Sequence, residues 1–206
     1  MHGLKAYRAA NPVAALVLAH GAGAGQTNTW MVKAALALSE RGITVFTFDF
    51  PYMAAGRKVP DRAPVLEASW REALESARAE AQHLPIFIGG KSMGGRIATH
   101  IAAQGIEGVS GIVLLGYPLH PPGAPEKRRD AHLPDVTQPV LFVQGANDPF
   151  GNEHEIAALL PMMQQATLRV IETGDHSLKV KGGATAQQPA FDDAMDTVVG
   201  WIRAVA

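Results

Sequence analysis

Apolar residues in this chain follow two alternating patterns. The first is a short, nearly continuous run, seen at Val13–Ala19, Ile43–Asp49, Ile86–Gly89, Ile112–Gly116, Val140–Gln144 and Leu168–Ile171. Runs of this length and bulk predict strands, and their continuity predicts parallel strands covered on both faces. Residues 1–10 add a candidate edge strand. The second pattern recurs every three or four positions. Trp30–Glu40 carries Met31, Ala35 and Leu38 on one side, and residues 64–82 open on Pro64 with Leu66, Trp70, Ala73, Leu74 and Ala77 at helical spacing. Ile97 and Ile101, with Ala98 and Ala102 beside them, predict a buried helix after Met93. Residues 152–160 follow Asn152 as a cap and stop near Pro161, and Phe191, Met195, Val198, Val199 and Ile202 stripe the last helix.

Strand and helix patterns alternate along the chain. The predicted fold class is therefore α/β: a doubly wound, mostly parallel sheet of about six or seven strands with helices on both faces. No repeat, low-complexity tract or linker divides the 206 residues, so residues 1–206 are expected to form a single domain. In open α/β sheets ligands bind outside the carboxyl ends of the strands. The residues behind each run are thus where chemistry is expected.

Behind Ile86–Gly89 stands Gly90-Lys91-Ser92-Met93-Gly94, which fits G-x-S-x-G, a serine on a sharp strand-to-helix turn. The order strand, elbow, helix is the context this motif requires. A phosphate-binding G-x-x-x-x-G-K-[ST] loop would need glycine at 85, where Pro85 stands. Behind the first run comes His20-Gly21-Ala22-Gly23-Ala24-Gly25. A dinucleotide fingerprint starting at Gly21 or Gly23 would need a small residue at Gln26 or Asn28, and both spacings fail. Such a loop can instead aim backbone N–H groups at a developing oxyanion. The expected donors are the amides of Ala22 and of Met93, with His20 holding the loop.

Asp148 follows the fifth run and can orient an imidazole. His176 follows the last run in Gly174-Asp175-His176-Ser177 and can act as general base. Asp175 adjoins His176, but neighbouring residues rarely point at one another, so Asp148 is the expected acid. Serine, acid and histidine then stand in the chain order of the α/β-hydrolase arrangement.

Composition narrows the reading. The chain is 47% hydrophobic and 18% charged with net charge -1 and no cysteine. No electrostatic footprint for nucleic acid or an anionic membrane is present, and disulfides, thiolate nucleophiles and Cys-based zinc sites are excluded. H-E-x-x-H and paired carboxylate-histidine spacings are missing, and no metal or cofactor is expected. Val13–Ala19 is too short to span a bilayer, and only Lys5 and Arg8 precede it, unlike a signal peptide. A cytoplasmic protein is expected.

The glycine loop, Asp49-Phe50-Pro51-Tyr52, Gly-Gly-Lys-Ser-Met-Gly-Gly-Arg, Gly-Tyr-Pro-Leu-His-Pro-Pro-Gly and Gly-Asp-His-Ser together resemble the α/β-hydrolases. More narrowly, the chain is similar to small, nearly lidless serine hydrolases related to dienelactone hydrolase. That branch also contains a subunit of a histone-acetylation regulatory complex. The resemblance runs from about residue 13 to the terminal helix. It implies an esterase-like enzyme with Ser92 as nucleophile, His176 as base and Asp148 as orienting acid. Dienelactone hydrolase itself has cysteine where Ser92 stands, so its lactone is not implied. The chromatin-associated relative implies the alternative of a catalytically weak binding or scaffold module.

Two segments are expected to shape the pocket. Phe50–Pro64 offers Tyr52 and Met53 as substrate contacts, and Tyr117–Pro139 is too short for a large cap. The expected partner is a small-molecule acyl substrate, with no nucleic acid and no membrane. Acyl group, leaving group and oligomeric state stay open.

Overall fold

A computed structural model describes residues 3–206. Seven strands form one sheet: β1 Lys5–Tyr7, β2 Ala14–Ala19, β3 Ile43–Phe48, β4 Ile86–Lys91, β5 Gly111–Leu115, β6 Val140–Gly145 and β7 Ala166–Ile171. Their order is β1-β3-β2-β4-β5-β6-β7. All neighbours pair in parallel except the edge strand β1, which runs antiparallel to β3. The helices are α1 Thr29–Glu40, α2 Pro51–Ala54, α3 Ala63–Ala81, α4 Met93–Ala103, α5 Glu153–Ala157 and α6 Gly183–Val205. Among the described residues, no helix is long and apolar enough to cross a membrane.

The two-residue period of a strand divides the core. On β2, Ala15, Val17 and Ala19 face one side with Trp70, Leu74, Ile97 and Ile101 of α3 and α4. Ala14, Leu16 and Leu18 face the other with Leu38 of α1 and Met195, Val198 and Ile202 of α6. β2, β3, β5 and β6 are buried along their whole length and β4 up to Gly90, as helices on both faces require. Phe48, Phe50 and Trp70 meet edge-to-face at about 5 Å, and burying each such ring contributes roughly 2–3 kcal/mol.

The predicted fold class is the observed one, and each expected strand and helix is present with shifted ends. α5 stops at Ala157, and Pro161 falls in a separate 3-10 turn, Leu160–Met162. Asn152 caps α5 through the amides of His154 and Glu155, and Glu155 returns a bond to the Asn152 amide. α6 starts well before Phe191 and tolerates Pro189, whose missing N–H interrupts one rung. α2 is a single turn inside Phe50–Pro64 that apolar periodicity is too short to reveal.

Candidate active site

The strand order reverses direction between β2 and β4, and this is where a doubly wound sheet opens a crevice at its carboxyl edge. The glycine loop leaves β2 on one side of that crevice and the elbow leaves β4 on the other. Ser92 adopts φ 50° and ψ -120°, a left-handed conformation that is strained for a residue with a side chain. Its flanking glycines cannot be replaced without a clash. A Cβ on Gly90 would stand 2.6 Å from the Ala19 carbonyl oxygen, and one on Gly94 would stand 2.5 Å from the same atom. The indole of Trp70 in α3 donates to the Gly94 carbonyl at 3.1 Å and ties the elbow to the core.

The three residues expected to meet do so. Ser92 Oγ lies 2.7 Å from His176 Nε2, and His176 Nδ1 lies 2.7 Å from Asp148 Oδ2. Asp148 is almost wholly buried, and each oxygen of its carboxylate has a further donor. Oδ1 accepts from the Phe150 amide at 2.8 Å and Oδ2 from Gln144 Nε2 at 2.8 Å. Gln144 in turn donates to the Gly151 carbonyl and accepts from the Tyr117 amide, each at 2.7 Å. Phe150 stacks on the His176 ring with centroids 4.1 Å apart. Asp175 is occupied elsewhere: its Oδ1 accepts the amides of Ser177 and Lys179 and shapes the histidine turn.

Ala22 and Met93 both line the cleft around Ser92. Met93 opens α4, where backbone N–H groups have no intrahelical partner. A Cβ on Gly21 would come within 3.5 Å of Ser92 Cβ, so the loop carrying Ala22 lies against Ser92. His20, fully buried, holds that loop: Nδ1 donates to the Gly21 carbonyl at 2.8 Å while Nε2 accepts the Phe50 amide at 3.1 Å. Burial holds its pKa below the ordinary histidine value, which keeps the ring in this neutral form. Asp49 anchors the far end of the loop through the Gln26 amide at 2.7 Å.

Tyr52 and Met53 do not line the cleft. α2 turns the Tyr52 ring inward, where it is 0% exposed and stacks with Phe50. Its hydroxyl lies near the Gly23 backbone without completing a hydrogen bond, and burial pushes its pKa up. Met53 packs against Gly25 beneath the loop. The walls come instead from residues passed over in the sequence. The cleft, about 590 Å³, is bounded by Trp30, Pro60, Pro118, Phe150, Arg96 and Arg129, among others. Lys91, next to Ser92, donates from Nζ to the His176 carbonyl at 2.6 Å, and burial lowers its pKa to about 8. The second residue of an elbow motif gives no sequence signal for that bond. Gln144, polar at the end of an apolar run, did offer one. Among the described residues, no three metal-ligating side chains gather into a site.

Residues 12–203 match the family model described as alpha/beta hydrolase domain. The chain belongs to this family. Solved structures agree on the fold. Dienelactone hydrolase from Anabaena variabilis superposes with a TM-score of 0.77 at 20% identity, covering 98% of this chain and 92% of that one. An alpha-beta serine hydrolase homologue from Coxiella burnetii gives 0.76 at 16%, covering 98% and 91%. Est1E from Butyrivibrio proteoclasticus, in a structure with ferulic acid bound, gives 0.75 at 16%, covering 97% and 96%. At these identities the likeness is one of fold, and this α/β-hydrolase must be read from its own site.

Proposed function

We propose that this α/β-hydrolase is a serine hydrolase that cleaves a small ester or related acyl substrate. The observation that carries the reading is the continuous chain from Ser92 Oγ through His176 to the buried Asp148, with 2.7 Å at each step. Ser92 Oγ attacks the substrate carbonyl as its proton passes to His176 Nε2. The carbonyl π pair moves onto oxygen, where the amides of Ala22 and Met93 hold the charge. Collapse of this intermediate breaks the bond to the leaving group, which takes the proton from His176. Water then attacks the acyl-Ser92 carbonyl by the same steps, releasing the acid and restoring the hydroxyl. Asp148 fixes the ring with Nδ1 protonated and stabilises the imidazolium that forms in each half-reaction.

The Tyr117–Pro139 segment supports a small substrate with open access: its only regular element is the 3-10 turn Leu133–Asp135, so no helical cap covers Ser92. Hydrolysis of 4-nitrophenyl acetate by the parent and by Ser92→Ala tests the reading. Turnover should fall by orders of magnitude, and equal turnover in the variant would refute it.

A further inference from the structure

The charge around Ser92 is not balanced. Lys91, Arg96 and Arg129 line the cleft against one lining carboxylate, Asp61, which is already paired with Arg57 at 2.8 Å. Lys91 also feels the Asp148 and Asp175 charges, so the excess falls on the two arginines. Among the described residues, no ion pair involves Lys91, Arg96 or Arg129. Glu67 is close enough for Arg96 to feel its charge, but it is bound to His100 Nδ1 at 3.0 Å and to Gln104 Nε2 at 2.9 Å.

Both guanidinium groups keep donors to spare. Arg96 bonds His100 Nε2 from Nη1 at 3.2 Å, while its buried Nε has no partner. Among the described residues, the Arg129 side chain reaches only the Pro118 carbonyl, at 3.4 Å. The backbone that presents Arg129 is fixed: its amide donates to the Leu119 carbonyl at 2.8 Å, and its carbonyl accepts from the Tyr117 hydroxyl at 2.7 Å. Burial and the neighbouring Arg129 charge both push the Arg96 pKa down. Two part-buried like charges with no ion-pair partner of their own are costly to hold together. An anionic oxygen group between them would relieve that cost and take up the free donors, since guanidinium forks match carboxylates in shape.

We infer that Arg96 and Arg129 form an anion subsite beside the Ser92 nucleophile, so that the preferred ester carries an ionised carboxylate in addition to the scissile ester group. This inference rests on the hydrolase reading and adds the substrate class to it. Lys91 supplies a further positive charge at the same wall, weakening as pH rises past about 8.

Two matched ester pairs test it and show which half of the substrate carries the charge. 4-Nitrophenyl hydrogen adipate and 4-nitrophenyl hexanoate differ by a carboxylate or a methyl at the end of the acyl chain. 4-Acetoxybenzoate and 4-acetoxybenzamide differ by charge on the leaving group. In at least one pair, the parent should favour the charged ester by about tenfold or more in kcat/KM, mainly through KM. Arg129→Gln and Arg96→Gln should each cut that charged-to-neutral ratio roughly 10- to 100-fold, and Arg129→Glu further. Should Arg96→Gln not fold, the Arg129 variants and a rise in parental KM for the charged ester alone with added salt carry the test. No charge preference in either pair, or a ratio unmoved by the Arg129 variants, overturns the inference while Ser92-dependent cleavage of the neutral esters leaves the hydrolase reading standing. Failure to cleave any of the four overturns both.

Discussion

Two histidines in this molecule reach a hydroxyl through Nε2 at nearly the same distance, and their surroundings give them opposite capacities. His176 stands 2.7 Å from Ser92 Oγ, and His132 stands 2.8 Å from Thr99 Oγ1. Behind His176 lies a buried carboxylate, which accepts the Nδ1–H hydrogen bond and leaves Nε2 free to accept. Behind His132 lies the His100 ring, with centroids 4.3 Å apart, and the Arg96 charge nearby. The hydroxyl protons also point differently. Thr99 Oγ1 donates to the Arg96 carbonyl at 2.7 Å, so its proton is committed and it can only accept from His132. Ser92 opens a cleft, whereas Thr99 is fully buried. A hydroxyl beside an imidazole is therefore not a nucleophile by proximity alone. The direction of each hydrogen bond and a carboxylate at the far end decide it.

The comparison is broken most forcefully by exchanging the hydroxyls. Ser92→Ala should reduce kcat by roughly 10⁴- to 10⁶-fold, while Thr99→Val should change it by only a few-fold and appear as a stability loss of about 1–3 kcal/mol in chemical denaturation. A large kinetic loss at Thr99 would erase the contrast. Next in size is Asp148→Asn, which keeps the shape of the side chain but removes the charge. A kcat loss of roughly 10³- to 10⁴-fold is expected in a folded protein, checked on the same ester.

The third effect is on acid stability. Burial, first, and then the His100 and Arg96 charges lower the His132 pKa from 6.5 to about 4. Between those values the unfolded chain binds a proton that the folded one refuses, so stability falls as pH drops from about 6.5 towards 4. The loss traced to His132 should be roughly 1–3 kcal/mol, allowing for its partial exposure, and His132→Gln should flatten the slope measured by denaturation across this window.

Lys91 gives the last test, of the same sign but at the alkaline end of the range. Its pKa is lowered from 10.5 to about 8, so burying its charge costs stability below pH 8, and that cost is released as pH rises towards 10.5. The parent should therefore gain roughly 1–3 kcal/mol of stability relative to Lys91→Met across that interval. A constant difference between the two curves would show that Lys91 stays charged throughout.

What the sequence disclosed follows from which physical signals are local. Ser92, Asp148 and His176 each stand behind an apolar run in a fold whose strands end at one edge, so run boundaries alone bring them to that edge. The glycine loop's place beside Ser92 was legible for the same reason, and its glycine spacing excluded the nucleotide-binding readings. The cleft walls were not. Arg129 lies in a proline-rich stretch without periodicity, Arg96 reads as one polar residue on a buried helix, and Lys91 fills a motif position that accepts any residue. Tyr52 misled because an aromatic behind a strand was expected to face substrate, whereas the Pro51–Ala54 turn folds it against Phe50 and His20. Side-chain direction after a one-turn helix depends on packing from distant residues, which no local pattern records.

The central claim is that Ser92 is activated through His176 by Asp148. The most direct measurement is covalent labelling of the folded protein by a fluorophosphonate, followed by intact mass and peptide mapping. The account predicts one adduct, located on Ser92, absent in Ser92→Ala and formed far more slowly in Asp148→Asn. Folded protein that takes up no label at Ser92, or labelling at Ser92 that proceeds equally fast without the Asp148 charge, would contradict it.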